Sequence, residues 1–239
     1  MTNKFLAFTL AETLIVMGVI GIVSALTLPN LNSSTGDKEK VAKVKKIYQN
    51  LNDAYGRAEA VYGPISEWYV AADSTDALKS KRVGERFTEF IKLSKTCGTG
   101  AVAGCFTSST VKSLSGASAA SQGFDGNGDN LYKVITADGT AISFNTNSAI
   151  IVDIDGATSG SGTIGRDLFR FDIDSANATI VPYRHSATTF EQLVSNSYYG
   201  YASTAWIIDY DNADYLKFNA TTGTCKNGGT VSSTNPRCK

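Results

Sequence analysis

From Phe8 to Leu28 the chain runs through twenty-one residues that are apolar or small except Thr9, Glu12, Thr13, Ser24 and Thr27, and no other stretch limits its fold so tightly. As a helix at ~1.5 Å per residue the run would be about 31 Å long, enough to cross a hydrocarbon core of ~30 Å. One acid, Glu12, stands inside it. An ionised carboxylate in hydrocarbon costs roughly 2.5 kcal/mol or more and is rare without a partner, so any account of the run has to compensate Glu12. A secretory signal peptide cut after Val23-Ser24-Ala25 is one account, and a plain membrane anchor is another. Neither explains the acid, and only Lys4 precedes the run as a basic flank.

Beyond the run, length and composition describe one globular domain: 239 residues, 42% of them hydrophobic. With 22 basic against 22 acidic residues and a pI near 6.6, the chain lacks the charge that draws a domain to nucleic acid, and no nucleic-acid partner is expected. A lone His185 removes most histidine-dependent chemistry, since zinc sites usually draw on several imidazoles or thiolates. No G-x-S-x-G elbow occurs, and Gly160-Ser161-Gly162 lacks the GxxxxGK[ST] phosphate-loop pattern. An enzyme is not expected.

The residues Lys4-Phe5-Leu6-Ala7-Phe8-Thr9-Leu10-Ala11-Glu12-Thr13-Leu14-Ile15 resemble the leader and mature start of type IV pilins and type II secretion pseudopilins. The resemblance covers about 25 residues and rests on the joint spacing of small residue, Phe, Glu and Pro. It implies a cut by a prepilin peptidase between Ala7 and Phe8, N-methylation of Phe8, and assembly roles for Glu12 and Pro29, which become the fifth and twenty-second mature residues. Ala7 stands where the family usually has Gly. Cleavage would leave an α-ammonium on Phe8, and Glu12 of one subunit could pair with the ammonium of its neighbour, offsetting two charges in an apolar core. Gly18, Gly21, Ser24 and Ala25 would let such helices approach closely.

The resemblance therefore implies a leader at 1–7, a transmembrane and filament-core helix at 8–29, and an extracytoplasmic globular domain at 30–239. The expected partners are prepilin peptidase, other pilin or pseudopilin subunits in a homo- or hetero-polymer, and the inner membrane. Localisation would be a single pass of the bacterial inner membrane, with the leader in the cytoplasm, followed by a periplasmic pseudopilus or cell-surface pilus. Lys38, Lys40, Lys43, Lys45 and Lys46 follow the run and by a positive-inside count favour the opposite orientation. A large domain is translocated despite flanking charge. The rival is a monomeric anchored or secreted domain that binds calcium or a glycan.

After a polar break at 30–36, Val41, Val44, Tyr48, Leu51, Tyr55, Ala58 and Tyr62 recur at alternating three and four residues as far as the Gly63-Pro64 stop, an amphipathic helix. Val83, Phe87, Phe90 and Ile91 suggest a second helix within 83–95, and the Gly/Ala/Ser/Thr-rich segment 96–121 reads as exposed loop. Leu131–Thr136, the Asp138-Gly139 turn and Thr140–Phe144 form the strongest hairpin. Strands are also expected at Ala149–Ile154, Leu168–Ile173, Ile180–Tyr183 and Ala205–Tyr210. An early helix followed by short strands gives an α+β class. The resemblance makes it pilin-like, with a long N-terminal helix, half membrane-spanning and half amphipathic, packed on an antiparallel sheet, and a disulfide-closed C-terminal loop.

Cys97 with Cys105 and Cys225 with Cys238 form two close pairs. In an exported chain they favour two local disulfides, and a C-terminal disulfide loop fits the family. A zinc site or four free thiols remain alternatives. Asp125, Asn127 and Asp129 alternate as the opening of a calcium loop does, but Asn130 and Thr136 stand where an EF-hand wants Gly and Glu. No cofactor is expected apart from that possible calcium. Asp153, Asp155 and Asp167 offer a second oxygen cluster, and Tyr198, Tyr199 and Tyr201 near Trp206 an aromatic one.

Overall fold

A computed structural model describes residues 10–106, 110–119, 122–146, 149–157, 161–219 and 222–238, and for residues 24–35 the backbone alone. Helix α1 spans Leu10–Tyr62, and the chain divides into two compact units between Glu39 and Lys40. The polar stretch 30–36 does not break α1. Asn, Ser and Thr cost only about 0.5 kcal/mol each in a helix, and no Gly-Pro pair intervenes before Gly63-Pro64.

In the first unit, the described apolar run of α1 covers Leu10–Val23. Fourteen residues give about 21 Å of helix against a hydrocarbon core of ~30 Å. Among the described residues no helix is long and apolar enough to cross a membrane. This corrects the expected fold class with its membrane-spanning N-terminal half, and with it the expected localisation as a single-pass inner-membrane protein.

In the second unit, the α1 stripe buries Val41, Val44, Leu51, Tyr55 and Ala58, joined by Ile47 and Ala54, while Tyr48 and Tyr62 are half-buried against the same core. The helix ends on Gly63, whose φ of +75° is the left-handed stop that glycine adopts without a Cβ penalty. Helix α2 follows at Asp76–Thr88, with the Thr75 side chain accepting from the Leu78 N–H at its start. It begins earlier and ends sooner than the apolar spacing predicts. Phe90 and Ile91 lie beyond its end, half-buried against the core.

Six strands form one antiparallel sheet in sequence order: β1 Leu93–Gly98, β2 Tyr132–Thr136, β3 Ala141–Phe144, β4 Ala149–Asp153, β5 Leu168–Asp174 and β6 Thr179–Pro182. Alternation sends Val134, Ile142, Phe144, Ile150, Val152, Phe169 and Phe171 to the face shared with α1 and α2. There Phe87 stands 5.2 Å from Phe144, 5.7 Å from Tyr55 and 5.7 Å from Trp68, ring centre to ring centre. A Cβ on Gly84 would fall 2.0 Å from the Tyr132 ring, so the approach of α2 to the sheet depends on glycine.

The other face carries Ala141, Ile151 and Leu168, covered by Phe106, Val111, Ala119, Phe124, Leu131 and Ile164. The expectation of exposed loop at 96–121 is therefore corrected for its described residues: residues 96–98 complete β1, and Phe106, Val111 and Ala119 lie over a sheet face that would otherwise be wet. Two further helices close the fold. Helix α3, Phe190–Ser197, opens with a reciprocal capping box between Thr189 and Gln192. Helix α4, Ser203–Tyr210, replaces the expected strand at 205–210; short apolar runs do not distinguish a buried helix from a strand by period alone.

Candidate functional site

The N-terminal segment is where large apolar side chains stay most open to solvent. Between Leu10 and Val23, nine of them are 54–81% exposed. A helix apolar on all sides buries itself in a core, a membrane or an assembly. A Cβ on Gly18 or Gly21 meets nothing within 4 Å, so among the described residues neither glycine serves a close contact; between helices such positions admit a second backbone. Glu12 lies in the first turn of α1, where the helix dipole favours a carboxylate. Ala7 and Phe8 lie outside the described residues, and Pro29 is described only by its backbone, inside α1.

Three of the lysines that follow tie α1 to the domain. Lys46 pairs with Asp138 at 2.8 Å and Lys45 with Asp211 at 2.9 Å, while the Lys43 ammonium donates to the Ile154 carbonyl.

Both cysteine pairs are bonded, Cys97 to Cys105 and Cys225 to Cys238. With the sulfurs joined to each other, neither pair offers thiolates to zinc. The C-terminal loop is held further by Asp214, which accepts from the Cys238 N–H at 2.8 Å and pairs with Lys217 at 2.7 Å.

The Asp125, Asn127, Asp129 loop turns on itself, with Asp125 Oδ1 accepting from the Asn127 N–H at 3.0 Å. The cation nearest to it belongs to the chain. Lys133, fully buried on β2, donates to the carbonyls of Gly100 at 2.9 Å, Gly128 at 2.7 Å and Leu131 at 3.1 Å. Burial pulls its pKa below the usual lysine range, while the charges of Asp129 and Asp125 oppose that shift. Sequence reading missed Lys133, because a lone lysine at an alternate strand position reads as solvent-facing. Among the described residues, no group of three or more His, Cys, Asp or Glu side chains is placed to hold a metal ion.

Asp153, at the end of β4, is fully buried. Its Oδ1 accepts from the Asp155 N–H at 3.2 Å, and its Oδ2 has no hydrogen-bond partner among the described residues. Burial above all, with the charges of Asp167 and Asp155 adding, pushes its pKa up to about 7. Asp167 instead caps the neighbouring loop, accepting from the Ser161 hydroxyl at 2.9 Å and the Thr163 N–H at 3.3 Å.

The tyrosines form a chain that excludes Trp206. Tyr198, Tyr199, Tyr201, His185 and Tyr183 follow one another with ring centres 4.1, 5.8, 4.9 and 6.0 Å apart. Trp206 is buried with Phe190, Tyr210 and Phe218. Burial first, and the nearby Arg170 charge second, lower the His185 pKa. Its Nδ1 lies 3.2 Å from the Tyr183 hydroxyl.

No family model matches this chain, and neither does any curated protein or solved structure. The functional reading therefore rests on the N-terminal motif and the geometry.

Proposed function

We propose that the chain is a structural subunit of a filament, a type IV pilin or a type II secretion pseudopilin, cut by a prepilin peptidase before Phe8 and polymerised through its N-terminal helix. The observation that carries this reading is the exposed apolar run of α1 from Leu10 to Val23. Four turns of helix with no polar face are unstable in water as a monomer surface, and an exposed apolar patch of this kind marks an interaction site. Burying such side chains between helices is worth up to roughly 1.5–3 kcal/mol each, of the size needed to offset the cost of association. Gly18 and Gly21 supply the close approach. The pairing of Glu12 with the α-ammonium of a neighbour's Phe8 supplies the register.

Protein sheared from native cells tests the proposal. A filament fraction containing this chain with Phe8 at its N-terminus, ~14 Da heavier for one methyl group, is the expected result. Glu12→Ala should still be cut but should be lost from the filament fraction. A native N-terminus at Met1 or Leu26, or Glu12→Ala incorporated like the parent, would sink the reading.

A further inference from the structure

A cavity of about 330 Å³ lies between the second half of α1, the corner joining α2 to β1, and the β2–β3 turn. The filament reading makes no use of it. Ile47, Leu51 and Ile142, all buried, contribute apolar surface, and the half-buried Phe90 and Ile91 form a wall. Its volume falls at the lower end of the range for small-molecule sites, which are typically apolar with a few polar groups that orient the ligand.

The rim fixes the sign of the ligand. Lys46 is paired with Asp138 at 2.8 Å, and Asp53 with Arg57 at 3.1 Å. Although burial works against it, Lys46 and Thr136 hold the Asp138 carboxyl well below the usual carboxylate range, so the first pair stays ionised and closed. Lys92 also lines the cavity and is exposed. Among the described residues no carboxylate is within ion-pair distance of its ammonium. Two lysines and two aspartates line the cavity; with Asp138 held by Lys46 and Asp53 held by Arg57 from outside the lining, Lys92 is the lining ammonium left without a carboxylate partner among the described residues.

We propose that this cavity binds a small amphipathic anion, an alkyl or aryl monocarboxylate, with its hydrocarbon on Ile47, Leu51, Phe90, Ile91 and Ile142 and its carboxylate on Lys92. Such a site is independent of polymerisation, since every residue lining it lies in the domain after Lys40.

Calorimetry on the full chain with three ten-carbon probes, decanoate, decanol and decyltrimethylammonium, tests it. Decanoate should bind best, by roughly tenfold, and Lys92→Glu should reverse the order of decanoate and the ammonium probe. Ala137→Trp, a change at an exposed rim position, should block decanoate while the thermal midpoint stays at the parent value. The proposal is overturned if decanoate does not bind or if the three probes bind alike. It is equally overturned if both variants take up decanoate as the parent does, the result that adsorption on Leu10–Val23 would give.

Discussion

The two faces of the sheet are built by different means. The face toward α1 and α2 is apolar and aromatic, with Tyr55, Trp68, Phe87, Phe144 and Phe171 packed among aliphatic side chains. The opposite face has a smaller core. It also buries an ammonium at Lys133 and a carboxyl at Asp153, and the cover over it is closed by Cys97–Cys105. Where apolar side chains are plentiful, burial does most of the holding, and ion pairs such as Lys46 with Asp138 stay at the margin. Where Gly, Ser, Ala and Thr dominate, hydrogen bonds to a buried charge and a covalent link take over. The first kind of face fails by cavities, the second by changes of protonation, donor loss or reduction.

Phe87→Ala should be the largest single loss, about 3–5 kcal/mol in urea unfolding, because the ring is fully buried among three other aromatic side chains. On the other face, Asp153 ties stability to pH. Its carboxyl titrates ordinarily at 3.8 and in the folded domain at about 7. Between those values the folded chain keeps a proton that the unfolded chain has released, so stability falls as pH rises through the window and levels off above it. The full swing approaches ~4 kcal/mol at 1.36 kcal/mol per pKa unit. Asp153→Asn should flatten the pH profile between 4 and 7, and an unchanged slope would show that another group sets it.

Lys133→Met keeps the stem and removes the ammonium, leaving the Gly100, Gly128 and Leu131 carbonyls without their donor; ~3 kcal/mol should be lost. Smallest is the paired change Cys97→Ser with Cys105→Ser. A loop of sequence separation 8 gives ~2.5 kcal/mol of chain entropy. Denaturation of the parent and the double variant, both without reductant so that Cys225–Cys238 stays closed in each, should show that difference. If Phe87→Ala cost less than Lys133→Met, the contrast between the faces would be reversed.

What the sequence makes legible divides along the same line. The α1 stripe from Val41 to Tyr62 and the hairpin around Asp138-Gly139 are written in local period and turn chemistry, and both stand where expected. The face covered by 100–131 was not legible. Phe106, Val111 and Phe124 are too widely spaced to announce a core, and the sheet that recruits them comes later in the chain. The capping box at Thr189 and Gln192 was a readable start for α3, whereas the strand expected at Ala205–Tyr210 shows how little a short apolar run specifies by itself. Of the candidate site, the apolar character of Leu10–Val23 is plain in the sequence, and its exposure is what the structure adds. Lys133 was not legible, because a strand lysine at an alternate position reads as solvent-facing, and the cavity lined by Lys92 was not, because α1, the α2–β1 corner and the β2–β3 turn that form it are far apart in sequence.

The ammonium of Lys133 has one more consequence. A loop organised by a bound ion depends on the supply of that ion and loosens when a chelator removes it. The cation that meets the carbonyls of Gly100, Gly128 and Leu131 is covalently attached to β2. Dilution cannot lower its local concentration, and EDTA cannot strip it. This corner of the domain should hold its shape equally in calcium-rich and calcium-poor surroundings.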